Sequence, residues 1–191
     1  MKMLPHALRA TLLVTFTVLA TAFTSACKSY QLGNPTELPF KTIYIKPVSN
    51  DSFAPQAQAL LSTQIRSTFI RDGRTQLVTS AETADAVLLV NLTEYQRAAA
   101  ATRSDDTATA ADFDLTLSAE VSLFNQNKGD YFFQERIIEE TSHAYVSNPY
   151  QSATSPETQD FLQSEYQAMS LLTRDLARKI TDEVLSPWEA K

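Results

Sequence analysis

The sequence predicts an α+β domain in which two helices pack on one face of a mostly antiparallel or mixed sheet of four to five strands. Three observations carry this. In residues 113–123, Phe113, Leu115, Leu117, Ala119, Val121 and Leu123 alternate with polar Asp114, Thr116, Ser118, Glu120 and Ser122, the period of a half-buried strand. Ala57, Leu61, Ile65 and Phe69 recur every four residues, as on one face of an amphipathic helix. Leu162, Tyr166, Met169, Leu172, Leu176, Ile180 and Val184 form a second such stripe near the C-terminus. Elements with one apolar face each are buried most economically in two layers.

The N-terminal segment has the layout of an export signal: basic Lys2 and Arg9, an apolar run over residues 12–23, then small Thr24, Ser25 and Ala26. Thr15, Thr17 and Thr21 interrupt that run, which is shorter than the ~20 apolar residues a spanning helix needs. Residues 1–26 are therefore expected to be removed as a signal peptide. The single cysteine, Cys27, follows Ala26 directly, an arrangement that resembles the lipobox of bacterial lipoproteins. A lone cysteine can also be a small buried hydrophobe. Its place at the signal junction, in a compartment that oxidises thiols, favours lipidation. One fourteen-carbon chain binds a membrane only weakly at about 0.8 kcal/mol per buried CH₂, so the two or three chains of a lipoprotein make the anchor firm. Lys28 stands where an Asp would signal inner-membrane retention, so the expected location is the outer membrane, periplasmic side.

Residues 27–39, with Gly33, Asn34, Pro35 and Pro39, read as a lipidated tether, and residues 40–188 as a single domain. Residues 41–46 alternate, giving a strand with Ile43 and Ile45 buried, which Pro47 ends or places at an edge. Asp51, Ser52 and Pro55 open the first helix and Gly73 stops it. A short strand over residues 75–79 precedes a central strand over 86–95, whose run Val87-Leu88-Leu89-Val90 suits cover on both faces. Residues 98–111, rich in Ala, Thr and Asp, read as a solvated connection to the strand at 113–123. Residues 125–130, with Gly129, read as a hairpin loop and 131–144 as the returning strand. Ser155-Pro156-Glu157 opens the last helix, closed by Pro187.

Catalytic chemistry has few candidates. Beyond Cys27 the mature chain holds one histidine, His143, which reads as an exposed or hydrogen-bonded strand residue, and no second His or Cys to complete a usual metal site. Gly33, Gly73 and Gly129 lie too far apart for a phosphate-cradling loop. The pairs Asp105/Asp106 and Asp112/Asp114 could in principle act as acid and base, but the first lies in the polar connection and the second points off the strand's apolar face. The chain is thus expected to be no enzyme, with no cofactor and no metal.

The order of elements comes with specific phrases: Cys27-Lys28-Ser29-Tyr30-Gln31-Leu32-Gly33, Leu38-Pro39-Phe40-Lys41-Thr42-Ile43-Tyr44-Ile45, residues 54–61, Ala84-Asp85-Ala86, residues 102–107 and residues 171–177. In these the chain resembles the lipopolysaccharide-assembly lipoproteins, the LptE family, in a divergent branch. The resemblance implies a lipoprotein that seats in the LptD β-barrel, helps it assemble and assists delivery of lipopolysaccharide to the cell surface. Lys28-Ser29 departs from the Gly and aromatic residue the family often has there. The rival reading is an envelope lipoprotein acting as a pilotin, secretion-pore component or peptidoglycan-synthase activator.

Loss of residues 1–26 leaves 14 basic and 22 acidic residues, net −8, with no cluster suited to nucleic acid. Such a chain repels an anionic glycolipid over a Debye length of about 8 Å unless local positive sites compensate. Residues 41–74 are basic on balance and residues 139–191 acidic. In the connection, Arg103 beside Asp105 and Asp106 is a candidate contact with the barrel or with lipopolysaccharide, and Arg97 a second candidate.

Overall fold

A computed structural model describes residues 38–102, 110–145 and 161–185. Cys27, the tether, Arg103, Asp105, Asp106, the helix start at Ser155-Pro156-Glu157 and Pro187 lie outside the described residues.

The elements run β1 (Thr42–Ile45), β2 (Ser49–Asn50), α1 (Pro55–Asp72), β3 (Gln76–Leu77), β4 (Ala86–Thr102), β5 (Ala110–Asn125), β6 (Asp130–Tyr145) and α2 (Phe161–Leu185), with a 3-10 turn at Ala81–Thr83. One sheet holds the strands in the order β3-β1-β4-β5-β6, and β2 also pairs with β4. The pairs β1–β3, β1–β4 and β2–β4 are parallel, whereas β4–β5 and β5–β6 are antiparallel. This is the expected open α+β sheet with two helices, extended to six strands by the two-residue β2 and β3. The expected strand over 75–79 contracts to Gln76–Leu77. Pro47 ends β1, which lies inside the sheet between β3 and β4.

Helix α1 starts with Pro55 in its first turn, where a missing N–H costs nothing. It ends at Gly73, whose φ of 74° lets its N–H reach the Phe69 carbonyl at 3.1 Å. Ala57, Leu61, Ile65 and Phe69 are buried as the spacing requires. They meet Ile43 and Ile45 of β1, Ala86, Leu88, Val90 and Leu92 of β4, the apolar row Leu115–Leu123 of β5, and Met169, Leu172, Leu176, Ile180 and Val184 of α2 in one core.

Two expectations fail. Residues 98–111 are not a polar connection over their whole length, because β4 continues to Thr102 and β5 begins at Ala110. Antiparallel pairing overrides the weak strand propensity of that Ala-rich stretch: Ala98 pairs with Asp114 and Ala99 with Phe113. The stripe of α2 is also shorter than its spacing suggested. Leu162 and Tyr166 are 67% and 70% exposed, while Glu165 between them is buried. Helical phase aligns them with the buried stripe, but burial needs an element above them, and the core begins at Ala168 and Met169.

Candidate interaction surface

Successive side chains of a strand point to opposite faces, so each of β4, β5 and β6 supplies one row to the helices and one to the open side. Over residues 114–118 of β5 the open side is polar and bonded across strands. Asp114 and His143 are direct cross-strand partners with Oδ1 and Nδ1 at 2.5 Å. Next come the Thr116 and Thr141 hydroxyls at 2.9 Å, and then Ser118, whose hydroxyl donates to Glu139 Oε1 at 3.1 Å. His143 is therefore a hydrogen-bonded strand residue, and Asp114 points off the apolar face, as the alternation required. Further along, Lys46, Asn91, Glu120, Tyr131 and Glu135 surround a shallow cavity of about 280 Å³. Glu135 forms its rim with φ +54°, the left-handed region, at a β-bulge, and its N–H donates to the Ser122 hydroxyl at 2.9 Å.

Bulges also decide the fate of Arg97. Thr93 is the extra residue between Leu92, opposite Ala119, and Glu94, opposite Ser118. Before it the even residues of β4 face the helices. After it the odd ones do, so Tyr95 and Arg97 lie opposite Leu117 and Leu115. The Tyr95 hydroxyl donates to Glu165 Oε1 at 2.5 Å, and Arg97 Nη1 lies 3.7 Å from Glu165 Oε2 with its guanidinium over the Tyr95 ring. Burial, followed by the Glu165 hydrogen bond, pushes the Tyr95 phenol above its ordinary value, so it stays a donor. Arg97, a sequence candidate for partner contact, is about half exposed and already joined to Glu165.

At the other end of β4, Asp85 ties three elements together. Its carboxylate accepts from the Lys41 and Thr42 N–H groups at 3.0 and 2.9 Å, the Thr42 hydroxyl at 2.9 Å and the Asn127 amide at 3.1 Å. The Asn127 amide first, then the two backbone N–H groups and the hydroxyl, hold this carboxyl well below the usual range.

The basic balance of residues 41–74 has two uses. Arg66 donates to the Ile45 carbonyl at 2.7 Å, and Arg74 pairs with Asp72 and donates to the Leu185 carbonyl, so both tie elements together. Arg71, with Gln64 and Thr68, opens into an interhelical groove of about 330 Å³ whose other wall holds Arg174, Arg178 and Asp182. The segment read as acidic thus contributes two of that groove's three arginines. Glu165, Asp85 and the groove were not singled out as sites in the sequence; an acid inside an apolar stripe, as Glu165 is, was the available signal.

Among the described residues no group of three or more His, Cys, Asp or Glu is placed to hold a metal ion, and no helix is long and apolar enough to cross a membrane. The fold is a two-layer α+β domain with helices on one side of a mixed sheet and hydrogen-bonded strand side chains on the other. Residues 40–185 match the LptE lipopolysaccharide-assembly family, and the chain belongs to that family. No curated protein matches. Among solved structures, a hypothetical protein from Chlamydia trachomatis is similar, with a TM-score of 0.51 at 15% identity over 75% of this chain and 95% of that one. A minor lipoprotein from Acinetobacter baumannii gives a TM-score of 0.48 at 18% identity, over 77% of this chain and 92% of that one. Lipoprotein B from Nitrosomonas europaea gives 0.47 at 14% identity, over 83% of this chain and 94% of that one.

Proposed function

We propose that this chain is an outer-membrane lipoprotein, processed before Cys27 and anchored by lipid there on the periplasmic side. In this reading it seats in a large LptD-like β-barrel, helps that barrel fold, and assists delivery of lipopolysaccharide to the surface. The observation that carries it is the family match over residues 40–185, which spans every element of the fold. In this reading the connection between β4, which ends at Thr102, and β5, which starts at Ala110, supplies the partner contact through Arg103, Asp105 and Asp106. Arg103 would give a charge-assisted hydrogen bond to a barrel carboxylate or a lipopolysaccharide phosphate, with Arg97 as a second candidate.

The test is depletion of the chain, followed by measurement of the heat-modifiable folded form of the barrel and of co-purification after mild extraction. Depletion is expected to lower the folded barrel, and wild-type chain to restore it. Arg103→Ala is expected to keep its thermal midpoint and lose about tenfold in binding, as for a hydrogen bond to a charged group worth about 1.5–3 kcal/mol. An unchanged folded barrel on depletion would overturn the assembly role.

A further inference from the structure

Among the described residues strand β6 lies at the sheet edge, with a run from Arg136 to Tyr145 that contains no proline, lysine or bulge. Long edges without such features invite pairing with another chain. Three contacts fix which backbone groups point outward. Ser118 turns its carbonyl toward β4, where the Thr93 hydroxyl donates to it at 3.3 Å. N–H and C=O of one strand residue point the same way, so the directly opposed Glu139 directs its own away from β5. The structure agrees, since Lys179 Nζ of α2 donates to the Glu139 carbonyl at 2.8 Å, and the next outward N–H, that of Thr141, donates to Glu140 Oε1 at 3.2 Å. Lys179 Nζ also pairs with Glu140 Oε2 at 2.9 Å. One ion pair thus supplies a donor to an edge carbonyl and an acceptor to an edge N–H, the two services a neighbouring strand would provide.

We propose that the Lys179–Glu140 pair is a guard on a strand-accepting edge, and that the occupant it excludes is β6 of a second copy of this chain. Antiparallel pairing about a two-fold axis through Thr141 leaves both helix layers on the same side, so the apolar faces stay covered. It sets Glu139 opposite His143 and Glu140 opposite Ser142, with no like charges directly opposed. The guard stands in the middle of that run. A lysine borrowed from α2 does what an edge lysine within β6 would otherwise do.

The experiment uses the full chain in mild detergent and measures sedimentation over a range of concentrations. Wild type is expected to remain monomeric. Lys179→Ala with Glu140→Ala removes both charges together, leaving neither unpaired, and is expected to self-associate at least about tenfold more tightly. Adding Thr141→Pro, which removes an outward N–H and no ladder bond, is expected to return the variant to monomer. Thermal midpoints confirm that each variant is folded. A folded double variant that stays monomeric at every concentration would overturn the proposal. So would a dimer indifferent to proline at residue 141, which would place the new contact elsewhere than the β6 edge.

Discussion

The two faces of β5 are built from neighbouring residues and are held by different physics. Leu115, Leu117, Ala119, Val121 and Leu123 are buried against the helices, where stability grows with apolar area removed from water. Thr116, one residue out of phase, hydrogen-bonds Thr141 of β6 on the open side, where water competes, while the buried Ser118 donates to Glu139. The covered face therefore supplies the apolar burial that holds the fold, and the open face adds cross-strand hydrogen bonds.

Truncation on each face tests that division most strongly. Leu117→Ala is expected to cost about 2–5 kcal/mol, since Leu117 is fully buried and its removal leaves a cavity. Thr116→Ala is expected to stay within about 0.5 kcal/mol. Denaturant unfolding of both variants checks this, and similar losses would break the comparison.

Asp85 sharpens it, because a polar group at the sheet's margin acts there as a structural element. Asp85→Asn is expected to cost about 1.5–3 kcal/mol at pH 7 by weakening several hydrogen bonds at once. The folded carboxyl titrates below its unfolded value, so its stabilisation is complete above a pH of about 4 and is lost as pH falls toward the folded value. The deficit of the variant is accordingly expected to shrink between pH 5 and pH 2 in thermal melts. A deficit independent of pH would show that the charge contributes nothing.

A smaller loss than at Leu117 or Asp85 is expected at Tyr95, beyond the bulge in β4. Tyr95→Phe removes the donor to Glu165 but leaves Arg97 beside that carboxylate, for a loss of about 1 kcal/mol, or roughly 2–4 °C in thermal midpoint. An unchanged midpoint would place this cluster with the open-face ladder rather than with the core.

Local periodicity was enough to read α1 with its buried residues, the alternation of β5, the hairpin around Gly129 and the two-layer arrangement, because each depends only on where apolar side chains recur. A Gly at the end of α1 and at the hairpin marked positions where the chain must take positive φ. The family resemblance was likewise legible in phrases spread along the chain, since it rests on residue order. The same local signals were silent on the bulges at Thr93 and at Gln134–Glu135. A bulge shifts a strand's phase by one residue, and its position is set by the partner strand. That shift turns Arg97 toward Glu165, and brings Arg136 to the helix side, where it pairs with Glu183. Nor could spacing reveal that Leu162 and Tyr166 stay exposed, or that Lys179 and Glu140 meet at the edge of β6. Those outcomes depend on which element lies over which, so the sequence determined the faces and the tertiary structure alone decided what each face touches.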